Sequence, residues 1–306
     1  MKFPEGFRSG FVCFAGRPNA GKSTLTNALV GRKIAITSSK PQTTRHAVRG
    51  IVHREDGQLV IVDTPGLGKP RSLLQSRLND LVRDTWAEVD VVALVMPSDE
   101  RVGPGDTYLA EQLAGLRAGS RSVAIATKTD LVSASRLAQH LARIDALQTE
   151  TGVVFEQIVP CSALSGDQVG EVADALLGLM GPGPAFYPDG EITDEPDETL
   201  AAELIREAAL EEVRDELPHS ITVSIDEMGL RGGRHRLLDV YASLIVERDS
   251  QKGIMVGRGG ERIKRIGTRA RRQVSSLLGT PVHLDLRVKV VKDWQRDAKQ
   301  LNRLGF

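Results

Sequence analysis

The sequence predicts an α/β domain, a doubly wound, mostly parallel sheet with one antiparallel edge, followed by a smaller α+β domain. Three observations carry this prediction. The first 180 residues alternate short apolar runs with helical patterns, the rhythm of a sheet covered by helices on both faces. A proline-rich, acidic stretch at 181–198, GPGPAFYPDGEITDEPDE, then breaks that rhythm. Beyond it the pattern reads α-β-β-α-β. A chain of 306 residues is long enough for two such domains, each with its own core. With 41% hydrophobic and 26% charged residues, the composition excludes a disordered or collagen-like chain.

In the first domain, strands are expected at Phe11–Ala15, Val48–His53, Leu59–Val62, Val91–Met96, Val123–Ala126 and Phe155–Val159. Asp56-Gly57, between the second and third, is a hairpin signal and supplies the antiparallel edge. Helices are expected near 22–30, 71–86, 105–117, 134–149 and 168–180. In the second domain the expected order is a helix over 199–216, strands at Ser220–Ile225 and Arg236–Glu247, a Gly-rich turn at 257–260, a helix over 261–278 and a strand at Val282–Val290. The domains are therefore placed at 1–180 and 199–306, with 181–198 as linker.

Between the first strand and the first helix lies Gly16-Arg17-Pro18-Asn19-Ala20-Gly21-Lys22-Ser23, with Thr24 following: the P-loop pattern in its required context. Its glycines let backbone N–H groups and the helix N-terminus wrap phosphates. Lys22 is placed to reach the β- and γ-phosphates, and the Ser23 hydroxyl to ligate Mg²⁺. Asp63-Thr64-Pro65-Gly66 follows the third strand, so Asp63 stands where a carboxylate faces the Mg²⁺ shell. A DTPG tetrapeptide alone is most often a turn; the P-loop forty residues before it favours the functional reading.

Thr127-Lys128-Thr129-Asp130 ends the strand Val123–Ala126, and Cys161-Ser162-Ala163 ends the next. The order P-loop, QTTRH (42–46), DTPG, TKTD and CSA resembles the TRAFAC GTPases. That resemblance implies that Asp130 accepts two N–H donors of guanine, that the Lys128 stem covers the base, and that the Ala163 N–H meets guanine O6, with Ser162 beside it. It also makes QTTRH the first switch, with Thr44 as the preferred Mg²⁺ ligand and Thr43 as its competitor. Thr127 departs from the family's usual asparagine. A threonine donates one hydrogen bond where an amide makes two, so a weaker brace of the loop is expected, with guanine preference kept by Asp130. Leu67 follows Gly66 where Ras-like enzymes place a water-orienting glutamine, so slow intrinsic turnover is expected. Relatives with an apolar residue here can use K⁺ bound through an asparagine such as Asn19.

The second domain contains Gly257-Arg258-Gly259-Gly260 ahead of a helix whose apolar residues Ile263, Ile266, Ala270, Val274 and Leu277 form one stripe. A lone GxxG is weak, and charged residues on such a helix are usually a solvated face. Together they favour a KH fold of the type II arrangement, in which the glycine loop approaches a nucleic-acid backbone. Arg258 would meet phosphate, with Lys252, Lys264 and Arg265 adding charge. Ile254, Val256 and Ile263 would line the base groove, although core packing explains them equally well. Few aromatics occur here, so stacking of the RRM or OB kind is not favoured.

The P-loop segments joined to QKGIMVGRGGERIK and PVHLDLRVKVVKDW resemble the Era-like GTPases over roughly 8–306. The fold class implied is a P-loop NTPase with a doubly wound mixed sheet, then a smaller α+β type II KH domain. The resemblance implies GTP and GDP with Mg²⁺, binding near the 3′ end of small-subunit (16S) ribosomal RNA, a role in 30S biogenesis, and peripheral contact with the inner face of the cell membrane. A monomer is expected. Two rivals stay open: an ATP-dependent enzyme, and a KH adaptor that binds nucleotide without turning it over.

The formal net charge is zero, with 40 basic and 40 acidic side chains, but the sum hides an asymmetry. Residues 189–227 carry 2 basic and 14 acidic side chains, whereas residues 252–306 carry 14 and 4. The basic end suits a polyanion, and the acidic block could shield it when RNA is absent. Cys13 and Cys161 each sit in an apolar run and read as buried thiols in a reducing compartment. The N-terminus lacks a signal-peptide pattern, and the apolar run Val91–Met96 is too short to cross a bilayer, so a cytoplasmic protein is expected.

Overall fold

A computed structural model describes residues 4, 6–38, 40, 43–116, 120–213, 220–232 and 236–306. By contact density the chain divides into two compact units. The first comprises residues 1–35, 44–69 and 78–194, and the second residues 36–43, 70–77 and 195–306.

The first unit is built on six strands: β1 (Arg8–Ala15), β2 (Val48–Arg54), β3 (Gly57–Asp63), β4 (Val91–Pro97), β5 (Arg121–Thr127) and β6 (Phe155–Pro160). Their order is β2-β3-β1-β4-β5-β6, and only β2 runs antiparallel to its neighbour. Every residue of β3 and β4 is buried, as a sheet covered on both faces demands. The helices are α1 (Lys22–Val30), α2 (Leu73–Glu88), α3 (Pro104–Ala114), α4 (Ala134–Thr151) and α5 (Val169–Gly178). One apolar cluster joins β1, β3 and β4 to α1 and α5, and another fills the opposite face beneath α2, α3 and α4. Both cysteines are buried and unpaired, and burial pushes each thiol up to about 12.

The strand order turns between β1 and β4. In an open α/β sheet that switch point is where ligands bind, beyond the carboxyl ends of the strands. The segments after β1, β3, β5 and β6 gather there.

Residues 181–194, the larger part of the expected linker, form no helix or strand, as their prolines and glycines predict. They lie along the first unit: Gly181 O accepts from Ser9 N at 3.2 Å, Ile192 O from Ile51 N at 2.9 Å, and Gln58 Oε1 takes the Phe186 and Tyr187 N–H groups at 2.7 and 3.0 Å. Phe186 packs on Phe11 with ring centroids 4.8 Å apart. Proline and glycine content reports the absence of regular structure, and these contacts show that irregular chain can still be tied down.

The second unit contains α6 (Asp197–Glu211), β7 (Thr222–Arg231), β8 (Leu237–Val246), α7 (Asp249–Val256), α8 (Glu261–Leu278), β9 (Val282–Val290) and α9 (Ala298–Arg303). β8 pairs antiparallel with β7 and parallel with β9, and α7, the glycine turn and α8 make the crossover. α6 begins two residues earlier than expected, with Asp197 and Glu198 in its first turn beside the positive end of the helix dipole. α6 ends at Glu211 and α3 at Ala114, short of the expected 216 and 117, with Glu212, Val213, Gly115 and Leu116 no longer helical; residues 214–216 and 117 lie outside the described residues. Two helices were not anticipated. α7 replaces an expected apolar lead into the glycine turn, its eight residues being too few for periodicity to show. α9 starts at Asp297, whose carboxylate accepts the Lys299 and Gln300 N–H groups. Before it, buried Trp294 donates to Ser220 O and stacks on Phe306 at 5.8 Å.

The hairpin glycine is sterically committed. A methyl on Gly57 would stand 2.6 Å from the Arg8 carbonyl oxygen and 2.4 Å from Leu177 Cδ1. Gly57→Ala is expected to lower stability by about 1–3 kcal/mol. Urea unfolding should show the midpoint falling with the slope unchanged.

Candidate functional site

The P-loop bridges β1 and α1 through Asn19 at φ +63° and Gly21 at φ +97°. At Gly21 the left-handed backbone is the reason for glycine. Gly16 has a different one: a methyl there would lie 2.7 Å from the Val95 carbonyl of β4. The loop thus encircles Lys22, which is buried, and whose Nζ donates to Gly16 O at 3.0 Å and Arg17 O at 3.1 Å. Pro18 and Asn19 are exposed at the rim, Ala20 is buried beneath, and Thr24 lies in the first turn of α1. The Arg17 side chain turns away from the loop interior, its Nε donating to Asp106 Oδ1 at 2.8 Å and its guanidinium pairing with Glu100 at 2.9 Å.

Next to Lys22 stands an all-oxygen cluster. Ser23 Oγ donates to Asp63 Oδ2 at 2.7 Å and lies 3.1 Å from Thr44 Oγ1, which is 3.4 Å from the same carboxylate oxygen. Asp63 ends β3 fully buried, and its Oδ1 has no hydrogen-bond partner among the described residues. Thr43 directs its hydroxyl to Lys40 O at 2.7 Å, so Thr44 is the threonine that joins the cluster. Gln42 lies outside the described residues. Two hydroxyls, a carboxylate and an unmatched carboxylate oxygen are a hard donor set of the kind Mg²⁺ takes alongside phosphate oxygens, so the residues fit that ion. Among the described residues no group of three or more His, Cys, Asp or Glu forms a separate metal site.

Burial pushes the Lys22 ammonium down, against the attraction of Asp63. Burial pushes the Asp63 carboxyl up, against the Ser23 hydrogen bond and the charge on Lys22. Each group disfavours its charged form except through the other. Gly66 closes over this pair, its position leaving a built methyl 3.6 Å from Lys22 Nζ and 3.5 Å from Gly16 O. Leu67, with no amide to offer, packs against the apolar cluster under α2.

At the base end, Thr127 is buried and donates to Ala20 O at 2.7 Å. The single bond expected of a threonine is therefore made, and to the P-loop itself. Lys128 takes φ +58° and places Nζ 3.3 Å from Asp99 Oδ1. Asp130, exposed, accepts Ser162 Oγ at 2.6 Å, and Thr129 N–H donates to Cys161 O, which ties the two base segments together. Ala163 follows, half-buried, with Ser165 N–H capped by Ser162 Oγ at 3.2 Å.

In the second unit Gly257, Gly259 and Gly260 have φ of +75°, +59° and +80°, which only glycine adopts readily. A methyl on Gly259 or Gly260 would meet nothing within 4 Å, so the turn is open on its outer side. Arg258 and Lys252 are exposed beside it. Ile254 is 47% exposed, whereas Val256 and Ile263 pack against the apolar cluster of this unit, so only the first stands free of core packing. Lys264 and Arg265 line one pocket on α8 together with Glu212, Glu261 and Arg269. Arg265 pairs with Glu212 at 2.8 Å and stays half-exposed.

Comparisons with known proteins agree with this geometry. Residues 11–128 match the family described as 50S ribosome-binding GTPase, and residues 216–295 match the KH domain. Curated relatives named GTPase Era include one from a Nocardioides species, 63% identical over 98% of this chain and 96% of its own length. Another, from Streptomyces coelicolor, is 61% identical over 98% and 95%. Among solved structures, a variant of Aquifex aeolicus Era bound to GDP·AlF4⁻ aligns with TM-score 0.89 and 32% identity, covering 98% and 99% of the two chains. Era in complex with MgGDPNP and nucleotides 1506–1542 of 16S ribosomal RNA aligns with TM-score 0.90 and 33% identity, also over 98% and 99%.

Replacing Asp130, the carboxylate expected to read the base, tests the assignment of this end of the site. Asp130→Asn exchanges two acceptors for an acceptor and a donor. Competition binding should show preference moving from GTP toward XTP, with GTP affinity falling at least about tenfold. An unchanged preference would remove Asp130 from the base site.

Proposed function

The chain belongs to the Era family of GTPases, and from that membership we propose how its residues bind GTP, hydrolyse it and hold ribosomal RNA. The protein is a GTPase with a C-terminal KH domain. GTP would lie with its phosphates in Gly16–Ser23 and its base between Lys128, Asp130 and the Ser162-Ala163 turn. Ser23, Thr44 and Asp63 would hold Mg²⁺, which when bound neutralises phosphate charge and orients the phosphate oxygens. The carrying observation is the buried Lys22 held by P-loop carbonyls and the buried Asp63 beyond β3 with two hydroxyls on its carboxylate.

Hydrolysis is in-line attack of water on the γ-phosphate, and this chain's own contribution is electrostatic. Lys22 presents a desolvated positive charge, and P-loop N–H groups add dipoles fixed before the substrate arrives. Gly66, with no side chain, lets the backbone pass directly over the phosphates. Leu67 cannot orient water, so intrinsic turnover is slow. Loops 38–46 and 66–79 would order around the γ-phosphate and relax after its loss. Asn19, exposed on the P-loop rim, is proposed as the ligand of a K⁺ ion that supplies the missing positive charge.

The KH domain would take single-stranded RNA from near the 3′ end of the small-subunit ribosomal RNA, clamping its backbone at Gly257–Gly260 with Arg258 and Lys252 on phosphate. This makes the protein a nucleotide-dependent assembly factor of the 30S subunit. A monomer in the cytoplasm, with peripheral contact at the inner face of the cell membrane, completes the proposal on family grounds. Among the described residues no helix is long and apolar enough to cross a membrane.

Phosphate release from GTP should be measurable and lost in Lys22→Ala. A protein that binds GTP without release would be an adaptor and not an enzyme. Binding to a 3′-terminal small-subunit RNA fragment should weaken steeply with salt, and Gly259→Asp should abolish it while phosphate release persists. Single-turnover hydrolysis should run faster in K⁺ than in Na⁺ buffer; equal rates would discard the K⁺ site.

A further inference from the structure

The loop that leaves β4 touches both ends of the nucleotide site. At its start, Ser98 N–H donates to Thr127 O at 2.8 Å, the Asp99 carboxylate stands 3.3 Å from Lys128 Nζ, and the Asp99 carbonyl accepts from Arg136 of α4 at 2.6 Å. The next residue, Glu100, pairs with the Arg17 guanidinium at 2.9 Å. At the loop's far end Asp106 is fully buried and serves twice: Oδ2 accepts the Gly103 N–H at 2.9 Å and Oδ1 accepts Arg17 Nε at 2.8 Å. The arginine stem lies flat on the first turn of α3, where a methyl on Gly105 would come 2.9 Å from Arg17 Cδ.

These contacts close on themselves. Arg17 leads to Asp106 and Glu100, the loop leads back to Asp99, Asp99 to Lys128, and Thr127 returns to the P-loop at Ala20 O. The Arg17 carbonyl also accepts from Lys22 Nζ at 3.1 Å, so the clasp is anchored on the phosphate loop itself.

We propose that residues 98–106 form a clasp that fixes the spacing between the phosphate loop and the base loop, with Asp106 as the positioning residue that sets how long nucleotide is retained. The proposal rests on the reading of this site as a guanine-nucleotide site. No residue of the clasp from Ser98 to Asp106 is assigned a contact with the nucleotide. A ring that ties the two loops together spares the nucleotide the cost of ordering them, and that saving is lost when the ring is opened. Asp106 differs from a surface ion pair, which contributes little, because its carboxylate is wholly out of water and its two oxygens bind two different segments.

The clasp acts on retention and leaves chemistry alone, and that separates it from general structural support. In stopped-flow chase experiments with fluorescent GDP, Asp106→Asn should raise the dissociation rate about tenfold, the loss of one charged hydrogen bond. The double variant Asp99→Asn with Glu100→Gln alters two carboxylates that are partly exposed, and should raise it at least about threefold. Single-turnover hydrolysis of GTP bound beforehand should stay within about twofold of the parent in both. Parent-like dissociation in variants that melt as the parent does would overturn the clasp. Hydrolysis falling in step with retention would overturn it too, since the loop would then act on chemistry. If Asp106→Asn fails to fold, the double variant decides. A parent protein that holds no fluorescent GDP refutes the nucleotide reading itself, whereas parent-like off-rates refute the clasp alone.

Discussion

A lysine and an aspartate both taken out of water are the constraint on which the first unit depends. Neither Lys22 nor Asp63 is stable as a buried charge by itself. The fold meets the cost with fixed dipoles: the Gly16 and Arg17 carbonyls on the ammonium, the Ser23 and Thr44 hydroxyls on the carboxylate. For those carbonyls to converge, the loop must sit flat against β4, which is why Gly16 has no room for a side chain. For the carboxylate to reach the Ser23 hydroxyl at the start of α1, β1 and β3 must end in register, with Phe14 opposite Asp63. The six apolar strands behind them provide that register. The unmatched oxygen of Asp63 is what remains for a cation to satisfy.

The parts of this protein that could be read in its sequence are those where chemistry restricts the residue. The P-loop, Asp63, the TKTD and CSA turns and the glycine turn each need a particular residue for a stated reason, and each lies at a strand or helix end as expected. Strand centres were equally legible, because a strand buried on both faces must be continuously apolar. What escaped has a physical explanation. α7 is too short to display a helical period and its glycine, Gly253, argues against a helix. The stretch at 181–194 is held by backbone groups and by Gln58, none of which leaves a pattern in composition. Arg17 belongs to the phosphate motif by position, yet its side chain answers to Glu100 and Asp106, a long-range pairing that no local spacing reveals.

Charge in the second unit is arranged more closely than regional totals suggest. The last residues of α6 and the turn after it meet the first half of α8, where Glu211 pairs with Arg269 and Glu212 with Arg265. Glu207, one turn earlier, is buried and accepts Gln273 Nε2 at 2.7 Å. The acidic block therefore neutralises Arg265 and Arg269 on α8, while Lys252 and Arg258 beside the glycine turn have no acidic partner of this kind among the described residues. That asymmetry gives the unit one face suited to phosphate, and it explains why a chain with zero formal charge can still present a cationic surface.

The strap along the first unit has a further consequence. β2 is an edge strand, and an edge offers a row of unspent backbone donors and acceptors to any extended chain. Here Ile51 N–H is taken by Ile192 O, and the His53 ring reaches Glu191 O, so a segment whose composition reads as mere connection occupies one place in that row and adds a side-chain tie beside it.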